Sequence, residues 1–297
     1  MNFINLFVSQ EYKVSIKNNS LYLCGEEERN FPLEDIGVVM IENNRCAITA
    51  KALSKLSQVG AVVFVCDDRG YPASILLPIN TYYRPLLNYK LQVSISKPRQ
   101  KQLWKNIIER KIYNQATCLI KNHKDGGKLF DLAQSVFSGD VDNKEAQASA
   151  YYFPALFGKG FSRDQDNIIN SCLNYGYALV RGLISRHICA RGFLPCLGIF
   201  HSNTYNAYNL SDDLIEPFRP IVDYFVYNNL HNLGDEFNSQ SKKVLFTMLN
   251  LEVFSGKERH VLSYAVEREV ESIIAYYSGK DTLILPEIYN KGQKEYE

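Results

Sequence analysis

The sequence predicts an α+β protein, with a small β-rich N-terminal domain followed by a larger all-α C-terminal domain. Short alternating apolar runs fill residues 1–75, and apolar residues at helical spacing dominate the rest of the chain. Alternation is typical of strands, whereas a repeat of three to four residues is typical of helices. Prolines cluster between the two regions. We therefore predict a linker over residues 76–90 and a helical domain over residues 91–297.

The first domain is predicted to be a small sheet with one short helix. The stretch YKVSIKNNSLYLCG alternates on both sides of Asn18-Asn19, which favours a hairpin. The stretches IGVVMIEN and AVVFVCDDRG are compact apolar runs, typical of buried strands. Between them, AITAKALSKLSQVG carries apolar residues at roughly helical intervals.

The second domain is predicted from its helical periodicity. Pro98 fits the first turn of a helix. The buried stripe of that helix would consist of Leu103, Ile107, Ile112 and Leu119. Further helices are predicted around residues 167–190, 218–232, 240–255 and 260–277.

The composition indicates a folded protein that does not enter a membrane. Hydrophobic residues make up 46% of the chain and charged residues 22%. No apolar run approaches the roughly 18 residues of a membrane span. The N-terminus MNFINLFVSQEYK lacks the features of a secretory signal, so we expect a cytoplasmic protein with reduced, buried cysteines. The formal net charge of +1 neither demands nor excludes a nucleic-acid partner.

One segment combines a histidine with three carboxylates. His201 is followed by Asp212, Asp213 and Glu216. In a helical turn, Asp213 and Glu216 share a face, whereas Asp212 points aside and suits the positive start of a helix. Pro217 favours a kink or a helix start at this point. From these residues alone, a metal site and an ordinary hydrogen-bonded histidine both remain open.

Six sequence blocks resemble one family in their order and spacing. They are KIYNQ (111–115), EAQASAYYF (145–153), FGKGFSR (157–163), NSCLNYGYAL (170–179), GFLPCLGIFH (192–201) and DLIEPFRP (213–220). Together they resemble the Cas1 family, the CRISPR-associated integrases, along nearly the whole chain and most closely its type II branch. One departure is Ala150, which stands where family members often carry an arginine.

The resemblance implies an active site in which a glutamate, a histidine and a later acid hold a divalent metal. By motif, these are Glu145, His201 and Glu216. Asp213 would be an auxiliary ligand or an outer-shell group. Two glutamates and a neutral histidine carry two negative charges, which Mg²⁺ or Mn²⁺ would cancel while keeping positions open for the substrate.

The resemblance also implies the reaction and the partners. A metal-dependent integrase and endonuclease of CRISPR adaptation would join the 3′-hydroxyl ends of a double-stranded prespacer to the CRISPR repeat. It would form a homodimer through its β-rich domain, and the small Cas2 protein would bridge two dimers in a heterohexamer-type complex. Type II systems add accessory proteins and the effector nuclease. Two alternatives remain: a metal-dependent nuclease that hydrolyses branched or single-stranded DNA, and a non-catalytic DNA-bridging scaffold.

Two basic regions are candidates for binding DNA. The stretch SKPRQKQLWKNIIERK interleaves lysines and arginines with Trp104, which suits either a DNA backbone or a solvated helix face. Lys159 and Arg163 follow Glu145 along the chain and are favoured for holding DNA.

Overall fold

The structure, a computed structural model, describes residues 4–77 and 84–288. The chain forms two compact units. The first comprises Met1–Tyr83 with Cys189–Arg191, and the second comprises Arg84–Ile188 with Gly192–Glu297. The α+β class is confirmed, with strands dominating the first unit and helices the second. The exact domain limits and the dimerisation role of the first domain stay predictions.

The first unit consists of two four-stranded sheets and one helix. Its described elements are β1 (Ile4–Val8), β2 (Lys13–Lys17), β3 (Ser20–Cys24), β4 (Glu28–Pro32), β5 (Ile36–Ile41), β6 (Ala47–Ile48), α1 (Ala50–Gln58), β7 (Val62–Cys66) and β8 (Pro72–Ile75). One sheet has the order β1-β5-β7-β8, in which only β8 is antiparallel to its neighbour. The other has the order β4-β3-β2-β6, in which only β6 is parallel to its neighbour.

The predicted hairpin is confirmed between β2 and β3. Asn18 and Asn19 both adopt positive φ, at 49° and 57°. Two consecutive positive φ angles match the twist of the flanking strands, and asparagine tolerates them better than most residues do. The hairpin then pairs Lys17 with Ser20 and buries Val14 and Leu21 in the core of the unit.

Four strands of the first unit were not predicted. Strands β1 and β6 pair in parallel with segments far along the chain, so their local sequence contains no turn that reveals them. Strand β8 (Pro72–Ile75) begins with a proline and lies directly before the stretch predicted as a linker. It is an edge strand, where a proline is tolerated because no ladder hydrogen bond is lost.

The second unit is mainly helical. Its helices are α2 (Pro85–Ser94), α3 (Lys97–Lys121), α4 (Gly127–Gln134), α5 (Lys144–Phe157), α6 (Ile168–Ala190), α7 (Asn209–Leu214), α8 (Arg219–Asn228), α9 (Leu230–Leu233), α10 (Ser239–Phe246) and α11 (Leu262–Tyr277). A short 3-10 turn, Glu216–Phe218, joins α7 to α8. Three strands complete the unit: β9 (Glu252–Ser255), β10 (Glu258–Val261) and β11 (Pro286–Ile288).

Helix α3 is the centre of the second unit. It packs against α4, α5, α8, β11 and the 3-10 turn. Pro98 lies in its first turn, as predicted. The predicted stripe is also confirmed, because Leu103, Ile107, Ile112 and Leu119 are completely buried. This helix therefore provides the buried face on which the candidate site is built.

The prediction of an all-α second domain is wrong in one region. The helix predicted over residues 240–255 ends at Phe246, and β9 pairs with β10 and β11 in an antiparallel sheet. Gly256, with φ 72°, allows the tight turn between β9 and β10. Long-range pairing with β11 stabilises the sheet, and local periodicity does not report that pairing.

Helix α2 begins at Pro85, inside the stretch predicted as a linker. Pro78 lies outside the described residues.

Three cysteines, Cys66, Cys118 and Cys172, are buried as expected, whereas Cys24 and Cys196 are exposed. Across residues 4–77 and 84–288, no helix combines the length and the apolarity that crossing a bilayer requires.

Candidate active site

Helix α3 presents two polar side chains, Lys111 and Asn114, on its buried face. They lie three residues apart, so they share one side of the helix. Asn114 Nδ2 donates hydrogen bonds to the backbone oxygens of Pro217 and Pro286, at 2.8 and 2.9 Å. Asn114 thereby ties α3 to the turn that carries Glu216, and it fixes the position of that turn.

Glu145 lies in the first turn of α5. The helix begins after Asn143, whose side chain accepts a hydrogen bond from the amide of Ala146 at 3.3 Å. Asp140 accepts hydrogen bonds from the amides of Lys144 and Glu145 at 2.8 and 3.1 Å. The positive end of the helix favours a carboxylate here. The Glu145 side chain is 30% exposed, so solvent reaches it.

The ammonium group of Lys111 lies between the carboxylates of Glu145 and Glu216. Its Nζ is 2.6 Å from Glu145 Oε1 and 2.5 Å from Glu216 Oε2. Arg219 Nε donates to the other oxygen of Glu216 at 2.7 Å. Lys111 and Glu216 are almost completely buried, with side chains 7% and 5% exposed. Two acids and two bases compensate each other, which permits this burial.

The charges in this cluster determine its protonation. Burial opposes ionisation of Glu216, but the positive charges of Arg219 and Lys111 lower its pKa to about 2. Burial likewise opposes the charged form of Lys111, yet Glu216 and Glu145 raise its pKa above the ordinary value. Both groups are therefore charged at neutral pH, and a cation already occupies the space between the two glutamates.

Asp213 holds His201 in a fixed orientation. The imidazole Nδ1 is 2.7 Å from Asp213 Oδ1, which also accepts from the His201 amide at 3.1 Å. The other oxygen, Oδ2, accepts from the amides of Ile199 and Phe200 at 2.5 and 3.1 Å. Since an ionised carboxylate can only accept, Nδ1 carries the proton, and Nε2 of the neutral ring has a lone pair available for a ligand.

The same contacts bear on the two roles predicted for Asp213. The side chain is completely buried, and both oxygens are used by backbone amides and the imidazole. This favours the outer-shell role over the ligand role. The hydrogen bond that Asp213 accepts from the imidazole raises the pKa of His201; partial burial lowers it, and the charges of Asp213 and Glu216 raise it further. Glu216 thus acts electrostatically on the imidazole.

The turn before His201 requires a glycine. A Cβ atom at Gly198 would lie 2.2 Å from the backbone oxygen of His201 and 2.8 Å from Asp213 Oδ2. Asn209 closes the following loop, because its Nδ2 donates to the backbone oxygens of Cys196 and Asn203, at 3.1 and 2.9 Å. The GFLPCLGIFH block therefore folds into a rigid support for the imidazole.

The donor groups suit a divalent cation. Two carboxylates and a neutral imidazole are typical ligands of Mn²⁺ and acceptable ligands of Mg²⁺. The Lys111 ammonium bridges the two glutamates, as a small cation would. Within residues 4–77 and 84–288, however, no three His, Cys, Asp or Glu side chains are gathered as a metal-binding group. The structure thus unites Glu145 and Glu216 through Lys111, and orients His201 through Asp213.

The candidate DNA contacts have different surroundings. Lys159 lies in an exposed loop between two exposed glycines. Arg163 instead donates to the side-chain oxygens of Asn170 and Asn174, the second at 2.6 Å. Its guanidinium also lies over two aromatic rings. A structural role therefore accounts for Arg163, while DNA binding by either residue stays a prediction.

The basic stretch on α3 is not a continuous surface. Trp104 is only 2% exposed and belongs to the core. Lys111 points inward, and Arg99 is paired with Asp281 at 3.0 Å. Asp212 lies in the first turn of α7, as expected for an acid at a helix start.

Three residues of the site were not predicted: Lys111, Asn114 and Arg219. Their blocks, KIYNQ and DLIEPFRP, entered the analysis only as family signatures. A signal was nevertheless present for Lys111, because it follows Ile107 and Ile108 at helical spacing on the buried stripe of α3. A lysine at such a position needs a buried acidic partner.

The fold and the site together define a class of protein. It is an α+β protein with a β-rich first unit and a helical second unit, and the helical unit carries a buried carboxylate cluster beside an oriented histidine. The chain belongs to the Cas1 family: the family described as CRISPR associated protein Cas1 matches residues 6–254.

Relatives and solved structures agree with this assignment. The CRISPR-associated endonuclease Cas1 of Neisseria meningitidis serogroup C is 38% identical over 304 residues, covering 100% of both chains. A CRISPR-associated endonuclease Cas1 of Pyrobaculum aerophilum is 29% identical, covering 88% of this chain and 94% of the relative.

Two solved structures share the fold. A casposase bound to integration product superposes with a TM-score of 0.75 at 21% identity, covering 100% of this chain and 95% of that chain. A Cas1 protein from Thermotoga maritima superposes with a TM-score of 0.72 at 15% identity, covering 94% and 99%.

Proposed function

We propose that this chain is a metal-dependent DNA integrase and endonuclease of CRISPR adaptation. It would join the 3′-hydroxyl ends of a prespacer to the CRISPR repeat. The observation that carries the proposal is the cluster of Glu145, Lys111 and Glu216 beside an oriented His201. The names of the relatives support it, since they are CRISPR-associated endonucleases. The fold of a casposase bound to integration product is consistent with it.

The reaction is a phosphoryl transfer in which one bond replaces another. The 3′-hydroxyl oxygen of the prespacer forms a bond to a phosphorus atom of the repeat, and the bond from that phosphorus to a 3′ oxygen of the repeat breaks. The attacking hydroxyl loses its proton, and the leaving oxygen gains one. A divalent cation, Mg²⁺ or Mn²⁺, supplies positive charge at the phosphate and lowers the pKa of the hydroxyl.

The side chains of this chain prepare the site for that step. Glu145, Glu216 and Nε2 of His201 would hold the cation. Asp213 keeps the imidazole in the tautomer with a free Nε2. Arg219 stays bonded to Glu216, so this carboxylate remains ionised and oriented while the negatively charged phosphate approaches.

The partners follow from the same proposal. The substrate is double-stranded DNA, the prespacer and the repeat. A homodimer through the β-rich unit and a heterohexamer-type complex with Cas2 are proposed, and one solved structure that shares this fold is a partial Cas6-RT-Cas1–Cas2 complex. If the chain is of the type II branch, accessory proteins and the effector nuclease would join.

A strand-transfer assay tests the proposal. Labelled prespacer is incubated with a repeat-containing plasmid, Cas2 and Mn²⁺, and joined product is measured. We expect product with the wild type, none above background with Glu145→Ala or His201→Ala, and none in EDTA. Glu109→Ala is the matched control, since Glu109 is a partly exposed carboxylate on helix α3 that pairs with Lys105.

The products distinguish the two alternatives. A nuclease is the favoured second candidate, because the relatives are CRISPR-associated endonucleases. Shortened strands without joined strands would indicate that water is the nucleophile. DNA binding with neither product would indicate a scaffold, and product that persists in both alanine variants would contradict the assigned site.

A further inference from the structure

A half-exposed aromatic ring lies next to His201. Phe200 is 55% exposed, although large apolar side chains are usually buried. Its ring centroid is 5.7 Å from the imidazole centroid, with the two rings nearly perpendicular at 87°. A strand bound at His201 would therefore lie close to this ring.

Trp104 covers one face of the Phe200 ring and holds it in place. Trp104 stacks on it with a centroid distance of 4.4 Å and an interplanar angle of 2°. Trp104 is itself buried on α3, and its edge contacts His201 at 5.9 Å. The Phe200 amide donates to Asp213 Oδ2 at 3.1 Å. The backbone and one face of the ring are thus fixed by the same groups that orient the imidazole.

The buried position of Trp104 is unfavourable for its polar atom. Its indole Nε1 is buried without a hydrogen-bond partner. A buried unsatisfied donor destabilises a fold by roughly 1–3 kcal/mol, and a leucine or phenylalanine would fill space without that cost. A broad flat indole is therefore better explained as a support that keeps the Phe200 ring flat and outward.

We propose that Phe200 is a stacking platform for an unpaired nucleobase at the active site. The inference rests on the proposed function, because the strand that enters would be DNA. An unpaired base has a free face, whereas bases inside a duplex are already stacked, so the platform would select the single-stranded 3′ end of the substrate. Stacking of one base on an aromatic side chain is worth about 1–3 kcal/mol, or roughly fivefold to 150-fold in affinity.

Phe200 could alternatively serve only as an apolar cover for Trp104. Phe200→Leu separates the two roles, because leucine keeps an apolar cover and lacks a flat ring. Phe200→Tyr keeps the ring. Tyr205→Leu is the matched control, because Tyr205 is an aromatic residue of the same loop that is 98% exposed and lacks a supporting surface.

The test measures binding of DNA in EDTA, so that no chemistry occurs. The probes are a blunt duplex and the same duplex with a 3′ single-stranded tail containing 2-aminopurine. With the full-length wild type, we expect tighter binding of the tailed duplex and quenched 2-aminopurine fluorescence. Phe200→Leu should lose both, by fivefold or more in the affinity ratio, while Phe200→Tyr and Tyr205→Leu keep them. Because Phe200 contacts Trp104 directly, circular dichroism and urea unfolding, rather than tryptophan emission, report whether each variant is folded.

Retention of the tail preference and of the quenching in Phe200→Leu would overturn the inference, as would a wild type that binds both probes equally. The strand-transfer assay reads out the proposed function separately. If the tail stacks on Phe200 but no strand is joined, the proposed function fails and the platform stands. If strands are joined and Phe200→Leu behaves as the wild type, the platform alone fails.

Discussion

Lys111 determines the electrostatic state of the candidate site. Without it, the carboxylates of Glu145 and Glu216 would face each other, and among the described residues Arg219 would be left as the compensating cation, in contact with Glu216. Its ammonium contacts both carboxylates at 2.6 Å or less. In the absence of a metal, Lys111 therefore keeps the two proposed ligands together.

Lys111→Met tests this role. The variant leaves Glu216 buried with one cation fewer, and breaking a buried ion pair from one side typically costs about 3–5 kcal/mol. We expect the free energy of unfolding in EDTA, measured with urea, to fall by about 3 kcal/mol. We also expect tighter Mn²⁺ binding by calorimetry, because the glutamates lose a competing cation.

Lys105→Met is the matched control on the same helix. Lys105 pairs with Glu109 at 3.7 Å, and both side chains are partly exposed, so its removal should cost less than about 1 kcal/mol. If the two variants are equally stable and bind Mn²⁺ alike, the assigned role of Lys111 is wrong.

Glu269 on α11 provides a second prediction at the scale of one residue. It is completely buried, neither carboxylate oxygen has a hydrogen-bond partner, and burial raises its pKa well above the ordinary value. The folded protein therefore holds a proton there that the unfolded chain releases near its ordinary pKa of 4.5. The contribution of this group is present below pH 4.5 and is lost as the pH rises toward the folded pKa.

Glu269→Met should consequently stabilise the protein, and more so at pH 8 than at pH 5. We expect a gain of roughly 1–3 kcal/mol at pH 8, measured by urea unfolding, because no buried polar group is left unsatisfied. Glu271→Met, at an exposed position of the same helix, should show no such pH dependence. A variant less stable than the wild type at pH 8 would show that Glu269 has a partner.

The residues of the site differ in how far sequence could predict them. Glu145, His201 and Glu216 followed from the family motifs. Asp213 followed from them with two roles open, and Lys111 did not follow at all, because each depends on a partner from another element: a carboxylate on α5 for Lys111, and backbone amides of the GFLPCLGIFH turn for Asp213. Motifs identify reactive groups, but the groups that orient them are found only in three dimensions.

At the scale of elements, the turn at Gly198 gives a sharp prediction. An alanine there would place its Cβ 2.2 Å from the His201 backbone oxygen, so the turn must move. We expect Gly198→Ala to lower strand transfer about 100-fold, as misplacement of a catalytic group by about 1 Å does. Its circular dichroism spectrum should stay that of a folded protein, since the change is confined to one turn.

Gly160→Ala is the control for this variant. A Cβ at Gly160 meets no atom within 4 Å, and the residue does not have a positive φ. Its activity should remain within about twofold of the wild type. Full activity in Gly198→Ala would mean that the turn tolerates displacement, and that the orientation of His201 does not limit the reaction.

The periodicity of apolar residues in the sequence predicts some elements well and others not at all. The hairpin at Asn18-Asn19 and helix α3 were predicted well, since local turn chemistry and a long apolar stripe specify them. Helix α2 is the opposite case, because it buries the polar residues Asn88 and Gln92 and exposes apolar side chains. The Gln92 side chain donates a hydrogen bond to the backbone oxygen of Leu194. A helix with a polar buried face cannot be found from an apolar stripe.

At the scale of the whole molecule, Glu145 and His201 are 56 residues apart in sequence, and no local pattern brings them together. Helix α3 does so in part, because Lys111 contacts Glu145 and Glu216 while Trp104 contacts the ring of His201. Glu145, His201 and Glu216, like Lys111 and Asp213, all belong to the second unit.

The proposed homodimer predicts the mass of the whole protein in solution. One chain has a mass of 34.0 kDa, so light scattering after size exclusion should give twice that mass for the full chain without Cas2. With Cas2 added, a larger complex should form. A mass of one chain at micromolar concentration would contradict dimerisation through the β-rich unit.

The most direct measurement of the central claim is the position of a bound Mn²⁺, located by anomalous scattering in a crystal of the wild type. The account predicts one peak within about 2.0–2.3 Å of Glu145, Glu216 and Nε2 of His201, with the Lys111 ammonium displaced from between the glutamates. Crystals saturated with Mn²⁺ that show no peak there, and Lys111 still bridging the two carboxylates, would contradict it.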